Sequence, residues 1–92
     1  MASTRTDDEL VAEMRAAAQN VGTCLDWYDR GSGGDEAWRE IGRMPGKVQA
    51  AHEALSSSWR AAHPEVAALI ADFARAPEHY WHRLDEALEA LG

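Results

Sequence analysis

Several things are scarce in this chain of 92 residues: it has one cysteine, three prolines and far fewer bases than acids. A lone Cys24 excludes an internal disulfide. The longest unbroken apolar run, Val66-Ala67-Ala68-Leu69-Ile70-Ala71, falls far short of the ~20 residues that a membrane helix needs. Met1-Ala2-Ser3-Thr4-Arg5-Thr6-Asp7-Asp8 lacks the apolar stretch of a secretory leader. The expectation is therefore a cytoplasmic protein with no membrane partner. No window alternates β-branched and polar residues as a strand does. Sixteen acids against nine bases give a net charge of −7, the opposite of what a chain displacing counterions from a phosphate backbone carries. Nucleic acid is disfavoured as a partner on that ground.

Hydrophobic residues make up 46% of the chain and charged residues 27%, enough to build a core and keep its outside wet. Length predicts a single helical domain over 1–92, with 1–5 flexible and a glycine-rich connection at 31–34. A chain this short buries only about 60% of its unfolded surface, so pairing with something else would help it. The alanine- and arginine-rich usage, with Lys47 the lone lysine, fits a GC-rich bacterial or phage genome.

Periodicity sets the architecture. Thr6-Asp7-Asp8-Glu9 reads as a capping box, and Leu10, Met14, Ala17, Val21, Cys24 and Tyr28 then recur at 4-3-4-3-4 spacing. Gly31 should end this long first helix. Asp35 is the expected N-cap of a short second helix running to Arg43, and Met44-Pro45-Gly46 the expected break. A third helix is predicted from Pro45 to Ala61 on the stripe Val48, His52, Leu55, Trp59 and Ala62, with Ser56-Ser57-Ser58 its weak point. Pro64 starts a fourth, with Val66, Leu69, Ile70 and Phe73 on its face. Pro77 either breaks or kinks the C-terminal run, and the break is favoured because the residue before a proline leaves the helical region. The last helix gathers Tyr80, Trp81, Leu84, Ala87, Leu88 and Leu91. The fold class is all-α, a small bundle of four to five helices with breaks near Pro45, Pro64 and Pro77.

Candidate chemistry is thin. His79 and His82 with Glu86 have helical spacing for a metal, but such pairs arise by chance and closed sites want four ligands, so no metal or other cofactor is expected. Neither a Glu-x-x-His nor a His-Glu-x-x-His string occurs. Asp26-Trp27-Tyr28-Asp29 resembles a four-residue segment of encapsulated ferritins, yet Gly22, Thr23 and Cys24 stand where that family carries carboxylates, so its function does not carry over. His52, Glu53 and Ser56 lack the orienting shell of a nucleophile. Gly42 and Gly46-Lys47 miss the spacing and the Ser or Thr of a phosphate loop. An enzyme is not expected.

The four tryptophans are the unusual feature. Trp59 and Trp81 fall on core stripes, while Trp27 and Trp38 do not, and tryptophan is enriched at interaction hot spots. These residues predict a small acidic, non-enzymatic interaction module, an adaptor or inhibitor, contacting another protein through Trp27, Tyr28 and Trp38. A variant has the acidic stripe Glu78, Asp85 and Glu89 imitate nucleic acid for a basic nucleic-acid-binding partner. Alternatives are a helix-turn-helix-like DNA-binding regulator built on Glu40-Ile41-Gly42-Arg43-Met44-Pro45-Gly46 with Val48 and Leu55, a bundle sequestering a small molecule among its aromatics, and a homodimer covering the spare aromatics.

Overall fold

A computed structural model describes residues 5–31 and 33–91. Five helices follow one another: α1 (Asp7–Asp29), α2 (Gly34–Ala54), α3 (Ser57–Ala62), α4 (Pro64–Arg75) and α5 (Pro77–Leu91), with no strand among the described residues. The all-α bundle read from periodicity is the architecture observed.

The capping box forms as its residues dictate. The Glu9 N–H donates to the Thr6 hydroxyl at 3.1 Å, and the Thr6 N–H donates to the Glu9 carboxylate at 2.9 Å. From there Leu10, Met14, Ala17, Ala18, Val21 and Cys24 are buried along α1. Arg5 pairs with Glu13, while the remainder of the expected flexible segment, 1–4, lies outside the described residues.

The break expected at Pro45 does not exist. α2 runs unbroken from Gly34 to Ala54 with Pro45 inside it. The reason is a second apolar stripe that stays in phase across the proline: Ala37, Ile41, Met44, Val48 and Ala51 are all buried at 4-3-4-3 spacing. An interior proline costs roughly 3 kcal/mol through its missing N–H and its clash with the carbonyl four residues back. Five buried side chains on one seam outweigh that. Asp35 is likewise not the N-cap. Gly33 (φ +86°) precedes the helix without a side-chain cap, and Asp35 sits in the first turn.

The break falls instead at Leu55-Ser56. The stripe imagined through Val48, His52, Leu55, Trp59 and Ala62 is divided between two helices. The Ser56 hydroxyl accepts the Trp59 N–H at 3.2 Å and so starts α3 rather than continuing α2. Asp7 then fastens this corner to the first turn of α1, accepting the Ser56 N–H at 3.1 Å and its hydroxyl at 2.7 Å. Pro64 opens α4 as expected, and a true break at Ala76 (φ −151°, ψ 74°) precedes Pro77.

α1 is the central element. It packs on α2 along one flank and on α5 along another, with α4 closing against α5. Pairings of Trp81 with Gly22, and of Asp85 with Arg15 and Gln19, run in opposite senses along the two chains, so α5 is antiparallel to α1. The whole is 20 Å thick, about two helix diameters of ~10 Å. Phe73, Leu84 and Leu88 join the two stripes in a core that holds no polar residue among those described. Trp59 and Trp81, both expected in the core, are partly buried against its edge.

Gly22 permits the α1–α5 contact. A Cβ there would lie 2.6 Å from the Trp81 ring, closer than atoms can approach. Gly22→Ala is expected to lower stability by about 1 kcal/mol net, overpacking of 1–3 kcal/mol less the helix propensity gained. In a Trp81→Leu background the same change should stabilise, and a denaturant-melt cycle of the four proteins checks the reversal. Pro45→Ala returns a donor to the Ile41 carbonyl and should raise stability by about 1–2 kcal/mol; an unchanged or lower melting temperature would contradict it.

Candidate functional site

The aromatic residues singled out in the sequence converge at one end of the bundle, where α1 stops and α2 begins. α1 ends because Gly31 (φ +79°) takes the left-handed conformation open to glycine, its N–H donating to the Tyr28 carbonyl at 3.0 Å. Ser32 lies outside the described residues. The chain turns tightly enough that the Trp27 ring rests on Gly33, where a Cβ would come within 2.8 Å of it. Tyr28 and Trp38, from opposite sides of the turn, meet edge to face with ring centroids 5.4 Å apart.

All three remain substantially open to solvent: Trp27 is 41% exposed, Tyr28 43% and Trp38 39%. Tyr28, the last position of the first-helix stripe, is thus not core. Tyr28 and Trp38 form a pair, whereas Trp27 belongs to a neighbouring depression of about 560 Å³ that it borders with Cys24, Glu36, Arg39, Glu40 and Arg43. Burial, and secondarily the Glu40 carboxylate, push the Cys24 thiol above its ordinary pKa, which makes it an inert apolar filler at neutral pH.

The acidic stripe is partly engaged within the fold. Asp85 accepts the Arg15 Nε–H at 3.0 Å and the Gln19 amide at 3.1 Å, and Glu89 lies 3.8 Å from the same guanidinium. A carboxylate held this way braces α5 on α1 and presents less charge outward. Among the weak metal candidates, His82 Nδ1 is 3.4 Å from Glu86, and no three His, Cys, Asp or Glu side chains converge among the described residues. The helix-turn-helix outline is overturned, because Met44-Pro45-Gly46, its required turn, lies in the middle of α2. A depression of about 590 Å³ between α1 and α2 is lined by Ala16, Ala17, Asn20, Met44 and Lys47 among others, none of them aromatic. No described helix is long and apolar enough to cross a membrane.

One cluster was not anticipated. At the opposite end of α2, the His52 ring stands edge-on to Trp59 at 6.5 Å, and Trp59 lies 4.5 Å from His63. His52 Nε2 is buried without a hydrogen-bond partner among the described residues. Spacing alone could not reveal this, because the sequence stripe treated His52 and Trp59 as members of one helix. No family model matches the chain, and no curated protein or solved structure does either.

Burial first, then the nearby Arg60 charge, hold the His52 pKa below its ordinary value, against a smaller pull from Glu53. Folding therefore favours neutral His52, and the associated stability is lost as pH falls below about 6.5, the ordinary imidazole value. Asp7 is held low by its two bonds from Ser56, so its contribution is present above 3.8 and disappears as pH drops through the lower folded-state value. Thermal melts from pH 7.5 downward should show two limbs. His52→Gln flattens the upper one and Ser56→Ala makes the lower one shallower; limbs that persist unchanged would refute these assignments.

Proposed function

We propose that the chain is a non-enzymatic protein-interaction module, an adaptor or inhibitor that docks the end of its α1–α2 hairpin on another protein in the cytoplasm. One observation carries the reading: Tyr28 and Trp38 are packed on each other yet each leaves about two fifths of its surface in water. Large aromatics that are already fixed in place lose little side-chain freedom on docking, and they carry both apolar area and a polar tip. Hot spots in interfaces are enriched in these residue types. Trp27 adds area on the adjoining flank, held by Gly33. The charges around the tip would set register and encounter rate more than affinity.

Rigidity matters to the argument. Tyr28 lies in the last turn of a helix whose buried stripe is continuous, and Trp38 follows buried Ala37 in α2, so neither ring rides on a mobile loop. A site mounted on two packed helices keeps its geometry before the partner arrives.

The test is a double substitution, Tyr28→Ala with Trp38→Ala, beside a distant control, Glu53→Gln. Proteins co-purifying with the native chain are identified by mass spectrometry and then rebound to each purified variant. Binding of a given partner should fall at least tenfold in the aromatic variant and stay unchanged in the control, with circular dichroism confirming that both remain helical. A folded aromatic variant that binds every partner as well as the native chain would remove the reading.

A further inference from the structure

The surroundings of the aromatic pair point to the chemistry of what covers it. On α2, Gly34, Trp38 and Gly42 succeed one another at four-residue spacing, and such positions lie one above the next on a helix. Beyond the adjoining backbone, nothing among the described residues comes within 4 Å of the place where a side chain would begin at Gly34 or Gly42. Gly42 is in a helix interior where alanine would serve the fold better, and no internal contact calls for its bareness. The Trp38 ring thus stands on a strip of exposed backbone that another chain can approach closely.

Acids outnumber bases around the turn that this strip begins from. Asp26, Asp29, Asp35 and Glu36 surround the turn, opposed by Arg30 and by Arg39, which with Glu36 borders the depression beside Trp27. Asp26 is paired with Arg30 at 3.0 Å, whereas Asp29, Asp35 and Glu36 are exposed and form no ion pair among the described residues. Asp35 and Glu36 suit the first turn of α2, where the helix dipole favours acids. Asp29 has no such excuse. It ends α1, whose last turn holds no base, so the dipole there opposes its charge and the fold gains nothing from it.

Resting on the docking reading above, we propose that the Tyr28–Trp38 face accepts an arginine-bearing segment of another protein. A guanidinium stacks on an aromatic face through the ring quadrupole and is the cation least costly to strip of water. Here the open indole stands on a turn whose acids outnumber its bases, with Asp29 and Asp35 free of ion pairs among the described residues, so stacking and ion pairing act on the same group. A second copy of this chain is the poorer occupant. It would bring the same acidic rim face to face with itself, and like charges brought together repel.

The probe is a blocked peptide of arginine and alanine, free of aromatic residues, titrated into the full chain at low salt with tryptophan fluorescence and calorimetry as readouts. Saturable binding is expected, at least tenfold weaker in Trp38→Ala and at least fivefold weaker in Asp29→Asn with Asp35→Asn. Trp38→Phe, which keeps a ring, should retain most of the binding, and it covers the case in which the alanine variant fails to fold. The charge-matched pair Glu86→Gln with Glu89→Gln, on the far half of α5, should change it little. No saturable binding, or equal weakening by both charge-matched pairs, overturns the proposal, since the latter is general attraction to a chain of net charge −7. Self-association in sedimentation that disappears in Trp38→Ala makes a second copy the occupant and also overturns it. If a native partner depends on Tyr28 and Trp38 while the arginine peptide does not bind, the docking reading stands and this inference alone falls; loss of both removes both.

Discussion

The seam between α1 and α2 governs this molecule. Leu10, Met14, Ala17, Val21 and Cys24 face a second buried series, Ala37, Ile41, Met44, Val48 and Ala51, and both keep a 4-3-4-3 rhythm over their whole length. Two stripes of equal period on antiparallel helices can bury each other continuously only if neither helix breaks. That requirement carries α2 through Pro45. It also fixes how far the chain has travelled when it turns, which places Ser56 beside Asp7 and leaves the remaining helices to close over α1 from the other side.

The position of the aromatic pair follows from the same seam. The turn between α1 and α2 is short, with Gly31 and Gly33 both at positive φ, so the last turn of one helix and the first turn of the next are forced into proximity. The buried series ends at Cys24 on one side and begins at Ala37 on the other. Tyr28 lies just past the first of these limits and Trp38 directly beside the second, and both rings remain about two fifths exposed. Their exposure is a consequence of where the helices covering α1 end. Trp59 and Trp81, by contrast, are packed against the core, which neither Tyr28 nor Trp38 joins.

Much of the fold was legible because apolar period and capping chemistry are local. Thr6 with Glu9, the first-helix stripe, Gly31, Pro64 and the break before Pro77 all act through residues within a turn or two of one another. Pro45 was misread for the same reason. Judged locally it is a helix breaker, and only the phase of Ile41 and Met44 with Val48 and Ala51 across it reveals a continuous face. Seeing that face meant giving Ala37 and Ala51 weight as core residues, although alanine is a faint signal beside His52 or Trp59. The contacts of Asp7 with Ser56, of Trp81 with Gly22 and of Asp85 with Arg15 join residues 49 or more positions apart, and no pattern along the chain announces them. The site was legible in part. Trp27 and Trp38 stand out as tryptophans that no stripe needs, with Tyr28 at the end of the first stripe beside them, but the pairing of Tyr28 with Trp38, and the parting of Trp27 to another flank, depend on the geometry of the turn.

The acids divide by what they hold. Asp7 fastens the α3 corner, Glu9 closes the capping box, Asp85 braces α5 through Arg15, and Glu40 accepts from Asn20 at 3.2 Å as well as pairing with Arg43. Each of these carboxylates has a donor that the fold itself supplies, so its presence is explained from within. Asp29 differs in kind. It accepts no bond among the described residues, it lies at the end of α1 where peptide dipoles favour a cation, and it neighbours a half-exposed ring. Charge of net −7 needs no explanation beyond keeping a small chain from aggregating, but that need is met by acids anywhere on the surface. The contacts and dipoles of the fold account for the first group of acids and leave Asp29 without an internal role among the described residues.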